Sequence, residues 1–224
     1  MHLYLVRHGQ SFMNVPEWIE QNGYDNAGLT PKGKQQAAAL GKWMPQKLLP
    51  SIDALYASTM LRTRETAAYL AEAYNKEILF DHRLREIGSS RVDHTPWDDK
   101  DLPSHWPDYW YSEKPFSPVA PQAENCESMM HFRTRVGMFI EEIKQRHQHE
   151  HVVLVCHGGV IEAVFAHAFN IGPWQSCEIW TQNTAVSYFQ YLPDSVREQW
   201  RLHFHGRVEH LQDLEDSYND TILY

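Results

Sequence analysis

Two histidines that close apolar runs have the most chemistry to offer in this chain. Arg7-His8-Gly9 follows the run at 2–6, and Asn14 lies six residues beyond His8. Much further on, Cys156-His157-Gly158-Gly159 follows the run at 152–155. A neutral imidazole nitrogen is a nucleophile near pH 7, and the guanidinium beside it is a forked donor suited to phosphate. In open α/β sheets, the carboxyl ends of strands that meet at a switch point are where ligands bind. Two histidines delivered that way can form and stabilise a phosphohistidine.

Two further segments complete the constellation. At 58–67 the chain reads Ser-Thr-Met-Leu-Arg-Thr-Arg-Glu-Thr-Ala, a strand end leading into a helix. The free N–H groups of a helix start favour an anion, and Arg62 and Arg64 compete for that position. Leu84-Arg85-Glu86-Ile87-Gly88 then supplies a carboxylate at the edge of an irregular stretch. Glu86 is a candidate proton donor there, or a structural partner of Arg83 or Arg85.

The elements that must position these residues alternate. Residues 2–6, 52–57 and 152–155 read as buried strands. Thr30 and Pro31 supply a cap and a first helical residue for a helix from 32 to about 48. Ser58 is expected to cap a second helix over 59–74, and 128–147 repeats the helical spacing through Phe132, Val136, Phe139, Ile140 and Ile143. Val160, Ile161, Val164, Phe165 and Ala168 mark a helix behind the His157 strand. Residues 184–192 and 200–204 alternate more and close the pattern as two strands. The expected fold class is α/β: a three-layer α/β/α domain over 1–224 with a mostly parallel central sheet. One stretch, about 88–127, breaks the rhythm. Between Val92 and Glu124 it holds six of the twelve prolines, together with Trp97, Trp106, Tyr109, Trp110, Tyr111 and Phe116. Its many aromatics argue against disorder, so it reads as an ordered lid insertion, or as a surface excursion anchored by those rings.

Composition narrows the class. The chain has 224 residues, 42% hydrophobic, with no run approaching the ~20 apolar residues of a membrane helix. With the motif already at residue 7, no leader is expected ahead of it. Three cysteines (Cys126, Cys156 and Cys177) without paired spacing suit reduced thiols, so a soluble cytoplasmic protein is expected. A formal net charge of -9 disfavours nucleic acid as a partner but not a small phosphorylated substrate. The oligomeric state is not legible. His147, His149 and His151, and again His203 and His205, are closely spaced, but neither group has a cysteine or carboxylate completing a tetrahedral set. Gln148 and Glu150 suggest a solvated turn. No metal and no cofactor are expected. His94 and His105, inside the insertion, could touch substrate.

Taken together, these segments resemble the histidine phosphatase superfamily, the phosphoglycerate-mutase-like proteins. Residues 29–37, Leu-Thr-Pro-Lys-Gly-Lys-Gln-Gln-Ala, and Glu127-Ser128 with Arg135 are also similar to that family, in the right order over 3–160. The resemblance implies His8 as nucleophile, its other nitrogen held to fix the tautomer. It implies Arg7, Arg62, Asn14 and His157 as the phosphate cradle, with His157 protonated when phosphate is bound. Glu86 would protonate the leaving oxygen and then activate water. Register in the family motif favours Arg62 over Arg64. The chain departs from the usual pattern at Gln10-Ser11, at Cys156, and at Ile87-Gly88-Ser89-Ser90 after the expected acid. The activity implied is metal-independent hydrolysis of a phosphomonoester. A mutase would need extra cations to hold a second anionic group, and the insertion is acidic instead. Its preferred substrate would then be a monophosphate on a neutral or partly apolar group, with 3-phosphoglycerate poor. A dormant module that binds phosphorylated groups or a protein is the third possibility.

Overall fold

The apolar runs form strands because their side chains find cover on both faces of one sheet. In the computed structural model, residues 1–23, 25–103, 124–174, 177–212 and 214 are described. The strands are β1 (His2–Arg7), β2 (Ala54–Ser58), β3 (Ile78–Asp81), β4 (His151–Cys156), β5 (Val186–Tyr191) and β6 (Trp200–Arg207). They pair in the order β3-β2-β4-β1-β5-β6. The first three pairings are parallel and the two involving β5 are antiparallel. The central strands are covered on both sides, which is why they read as nearly unbroken apolar runs.

The helices are α1 (Pro16–Asn22), α2 (Pro31–Trp43), α3 (Leu61–Tyr74), α4 (Met129–Arg146) and α5 (Gly158–Ala168). Tyr4 and Val6 face a core shared with Leu40 of α2 and Leu70 of α3. Leu3 and Leu5, on the alternate face, pack with Phe132 and Val136 of α4 and Val160 and Val164 of α5. The result is a three-layer α/β/α arrangement with a mostly parallel sheet. Adjacent strands β1 and β4 send their connections to opposite faces, so their ends meet at a switch point.

Thr30 caps α2, its side chain accepting from the Gly33 N–H, and Pro31 takes the first position. The helical turns continue to Leu48, but Pro45 has no N–H to donate, and the last turn widens until the Leu49 N–H reaches the Met44 carbonyl. Ser58 does not cap α3, contrary to expectation. It is the last residue of β2, and Met60 holds the cap position of a helix that begins at Leu61. The entry turn is closed by the Thr63 hydroxyl, which lies within bonding distance of the Met60 and Ser58 carbonyls, so the Ser58 hydroxyl is available elsewhere. Helix α1 and strand β3 are not legible in the sequence. Strand β3 is a four-residue edge strand with Leu79 and Phe80 exposed, which erases the buried-strand signature.

The segment that starts at 88 carries no strand or long helix in its described part. Its two ends are pinned together, by the Arg91–Cys126 bridge and by the Glu127 N–H donating to the Ser90 carbonyl at 3.1 Å. Trp97 is half-buried with the Arg91 guanidinium over its ring at 4.1 Å. His105, Trp106, Tyr109, Trp110, Tyr111 and Phe116 lie outside the described residues. Among the described residues, no helix is long and apolar enough to cross a membrane.

Candidate active site

The register of the two central strands places both histidines. Arg7 of β1 pairs with Cys156 of β4, so His8 and His157 leave neighbouring parallel strands at the same level. The rings meet edge to face with centroids 5.3 Å apart. Both are buried, at 3% and 0% exposure.

His8 is oriented by its own turn. Its Nδ1 lies 2.7 Å from the Gly9 carbonyl, which only an Nδ1–H can satisfy, so Nε2 carries the lone pair. The Nε–H of Arg62 faces that Nε2 at 3.2 Å. Burial, then Arg62 and Arg7, hold the His8 pKa well below the ordinary histidine value, so the ring is neutral at pH 7. His157 is held low by burial and by Arg62 as well, and its Nε2 meets the Ser58 hydroxyl at 2.9 Å.

The turn after β1 is locked by close packing against the start of α2. A Cβ on Gly33 would lie 1.9 Å from the Gln10 carbonyl oxygen, so only glycine lets these backbones approach. The Gly9 N–H donates to Thr66 Oγ1 at 3.0 Å, and that hydroxyl bonds the Arg62 carbonyl at 2.8 Å. The His8 turn and the Arg62 helix are thereby tied to each other.

Arg62 is 7% exposed, its guanidinium pKa lowered by burial to about 10, still charged at neutral pH. Arg64, its competitor, lies 4.8 Å over the Phe80 ring on the far side of the helix, against β3. Arg7 is half-buried and donates to the Thr181 carbonyl. Glu86 is not a partner of Arg83 or Arg85. Arg83 pairs with Asp81 and Glu142, and Arg85 with Asp99. The Glu86 carboxylate instead accepts from the Gly159 N–H at 3.1 Å and the Ile87 N–H at 2.9 Å. That brings it beside the turn that carries His157. A side chain at 159 would put its Cβ 2.3 Å from Glu86 Oε1. Asn14 turns its carbonyl oxygen toward the Ser11 N–H and hydroxyl, at 3.0 and 3.1 Å, leaving its NH₂ as the group it could offer a ligand.

Sequence reasoning missed the segment 181–184. Asn183 donates from Nδ2 to the His8 carbonyl at 2.9 Å. Thr184 sits at φ +56°, which for a β-branched residue costs about 1–3 kcal/mol. Its N–H meets the carbonyls of Arg7 and His8, and its hydroxyl bonds His210 Nε2 at 2.9 Å. The available signal was a fully polar run just before an apolar strand, but nothing local says that it faces residues 7 and 8.

The two histidine patches approach each other through His2, which stacks on His151 with centroids 4.4 Å apart and bonds the Tyr188 hydroxyl at 2.7 Å. The turn after α4 is solvated at Gln148 and His149, as expected, but His147 itself is 8% exposed, between the Tyr56 hydroxyl at 2.8 Å and Glu150 at 2.6 Å. His203 stacks on Tyr188, and His205 bonds Ser187 and the Trp180 carbonyl. Among the described residues, no group of three or more His, Cys, Asp or Glu is placed to hold a metal ion.

A mostly parallel α/β sheet whose central strand ends present two buried imidazoles among arginines defines a phosphoryl-handling class of protein. Residues 3–203 match the family model of the histidine phosphatase superfamily (branch 1), and the chain belongs to that superfamily, as an enzyme acting on phosphomonoesters. It is 26% identical to the probable phosphoglycerate mutase GpmB of Shigella boydii, over 94% of this chain and 95% of that protein. Its fold is similar to that of Bacillus stearothermophilus YhfR, with a TM-score of 0.68 and 24% identity over 94% of this chain and 99% of the other. It is also similar to a phosphoserine phosphatase from Entamoeba histolytica, solved in complex with 3-phosphoglyceric acid. There the TM-score is 0.65, with 20% identity over 94% and 98% of the two chains.

Proposed function

We propose that this enzyme hydrolyses a small phosphomonoester through a phosphohistidine on His8. The observation that carries the reading is the His8 ring itself, buried and neutral, its Nδ1 committed to Gly9 and its Nε2 turned toward Arg62. In the first step Nε2 attacks phosphorus, the N–P bond forms and the P–O bond to the leaving group breaks. The Glu86 carboxylic acid gives its proton to the departing oxygen. In the second step the Glu86 carboxylate takes a proton from water, the new O–P bond forms, and the N–P electron pair returns to His8.

Arg7 and Arg62 neutralise the non-bridging oxygens, where transition-state charge resides. Asn14 adds a neutral donor. Burial, then Arg62 and the other nearby cations, hold the His157 pKa well below the ordinary histidine value, so the ring is neutral at pH 7. A phosphate dianion reverses that local field, and His157 then takes up a proton and donates to the bound group. Two guanidiniums and an imidazolium supply the charge that the reaction needs, so no metal enters this scheme.

Hydrolysis is favoured over mutase transfer by the cations near the start of the insertion. Arg85 is paired with Asp99, and Arg91 rests on Trp97 with its Nη1 bonded to the Pro96 carbonyl, which makes both weaker anchors for a second anionic group. The relatives' names span a probable phosphoglycerate mutase and a phosphoserine phosphatase, so a phosphorylated small acid stays in the test panel. The buried thiols Cys126 and Cys156 suit a reducing, cytoplasmic setting.

The test is a panel of phosphomonoesters scored for released phosphate without added metal, with an acid- or alkali-quenched sample of labelled enzyme. Expected is multiple turnover with an alkali-stable, acid-labile label on His8. Turnover without such a label removes the phosphohistidine. Transfer to a second hydroxyl outpacing hydrolysis, with 3-phosphoglycerate preferred, would make the enzyme a mutase.

A further inference from the structure

Arg135 and Glu127 are charged, fully buried, and unused by the scheme above. Both side chains are at 0% exposure. Nε and Nη2 of Arg135 donate to the two carboxylate oxygens of Glu127, at 2.7 Å each. Nη1 donates to the Arg83 and Arg85 carbonyls, at 2.8 Å each, and Nη2 donates to the Glu86 carbonyl at 3.0 Å. All five guanidinium N–H groups are therefore engaged. Glu127 Oε1 also accepts the Gly88 N–H at 2.9 Å. A single ion pair thus grips the backbone at 83, 85, 86 and 88, on both sides of Glu86, and the guanidinium rests on the Phe132 ring at 4.8 Å.

Stability alone is a poor account of this arrangement. Desolvating two charges roughly cancels their attraction, and an apolar pair of similar volume often does as well. The pair's remaining donors and acceptors go to the end of a single 3-10 turn (His82–Leu84) and the irregular stretch after it, where no sheet ladder or α-helix would otherwise fix the backbone. Among the described residues the Glu86 carboxylate is held by two backbone N–H groups, one of them its own neighbour's, so its place beside the His157 turn depends on where its backbone sits. A misplacement of about 1 Å in such a group costs on the order of a hundredfold in rate.

We propose that the Arg135–Glu127 pair positions Glu86 for proton transfer to the leaving oxygen, and that this is its functional role. The inference rests on the reading of Glu86 as proton donor. Arg135→Lys keeps the charge but loses the planar fork, and Glu127→Gln keeps the shape but puts a donor where an acceptor is needed. Among the described residues neither is hydrogen-bonded to the phosphate cradle, and Arg135→Lys keeps the positive charge that acts on His157. The deficit should therefore track the leaving group. A nitrophenolate departs without a proton, and an alkoxide does not.

The experiment compares ethyl phosphate with p-nitrophenyl phosphate in wild type, Arg135→Lys, Glu127→Gln, Gly159→Ala and Glu86→Gln. Inhibition by inorganic phosphate is measured alongside as a readout of the cradle. Arg135→Lys and Glu127→Gln should slow ethyl phosphate about tenfold or more and p-nitrophenyl phosphate less than about threefold, with phosphate inhibition unchanged. Gly159→Ala, which pushes on the Glu86 carboxylate directly, should give the same split. Where Arg135→Lys does not fold, the isosteric Glu127→Gln decides. Equal slowing of both substrates, or no slowing of either, in a folded variant that still binds phosphate overturns the proposal. Glu86→Gln separates the two possible failures. If it lacks the leaving-group split, the proton-donor reading fails. If it shows the split and the clamp variants do not, only the positioning role fails.

Discussion

The Nε–H of Arg62 faces Nε2 of His8 at 3.2 Å, the nitrogen left over once Nδ1 has bonded Gly9. A donor facing the nucleophile's lone pair lowers the basicity of the ring and marks where a phosphoryl oxygen would dock. Arg64, two residues on, is spent on Phe80. Arg62→Ala should therefore lose about 10²–10³ in kcat, the usual cost of removing a donor to developing charge. Arg64→Ala should stay within a fewfold of wild type. Steady-state kinetics on the two variants checks this, and a larger loss in Arg64→Ala would contradict it.

His8→Asn should abolish turnover while phosphate still binds. The amide removes the nucleophilic nitrogen, and the arginines that hold the anion stay in place. Calorimetric titration with inorganic phosphate, run beside an activity assay, reads both properties. His8→Ala should likewise be inactive; residual activity above a few per cent would show that His8 is not the nucleophile.

Gly33→Ala should damage both stability and activity, although residue 33 carries no side chain. Its Cβ would fall 1.9 Å from the Gln10 carbonyl oxygen, so either α2 or the turn that carries His8 has to move. Overpacking of this kind costs about 1–3 kcal/mol. The thermal midpoint and kcat should fall together. An unchanged kcat would mean that the turn is not positioned by this contact.

Stability should fall in mild acid. His8, His157 and His210 all have folded pKa values below the unfolded value of about 6.5. The unfolded chain therefore takes up their protons first, and the stability these groups confer is complete above that pH and lost as pH falls. For His210, held at about 4 by burial, the loss runs from pH 6.5 to 4 at about 1.4 kcal/mol per unit, or about 3 kcal/mol in all. Thermal midpoints measured across that window check the sign. His210→Gln should flatten part of the slope, and a wild-type profile with no decline would refute the assignment.

Legibility followed the range of the physics involved. Helix α2 was readable because Thr30, Pro31 and the apolar spacing act within a few residues of one another. The apolar runs before His8 and His157 announced strands, and the Gly residues behind them announced turns. Strand β3 gave no such signal, since an exposed edge strand needs no apolar face. Ser58 was misjudged for a similar reason. By local preference it suits a cap, but His157 lies against it across 99 residues of sequence and takes its hydroxyl.

The chain by itself determined the local units: which runs become strands, where α2 is capped, and that two histidines end strands in glycine turns. These follow from side-chain size, polarity and backbone freedom over a few residues. Only the tertiary structure decided which of those units meet. Parallel register set His8 and His157 at one level, and helix phase supplied the physical reason why Arg62, which the family register had favoured, faces the site while Arg64 turns to Phe80. Burial lowered the histidine pKa values, and folding brought Asn183 and the five bonds of Arg135 to the site from distant parts of the chain. Their energies depend on distances and on desolvation, quantities that exist only once residues far apart in sequence share one interior.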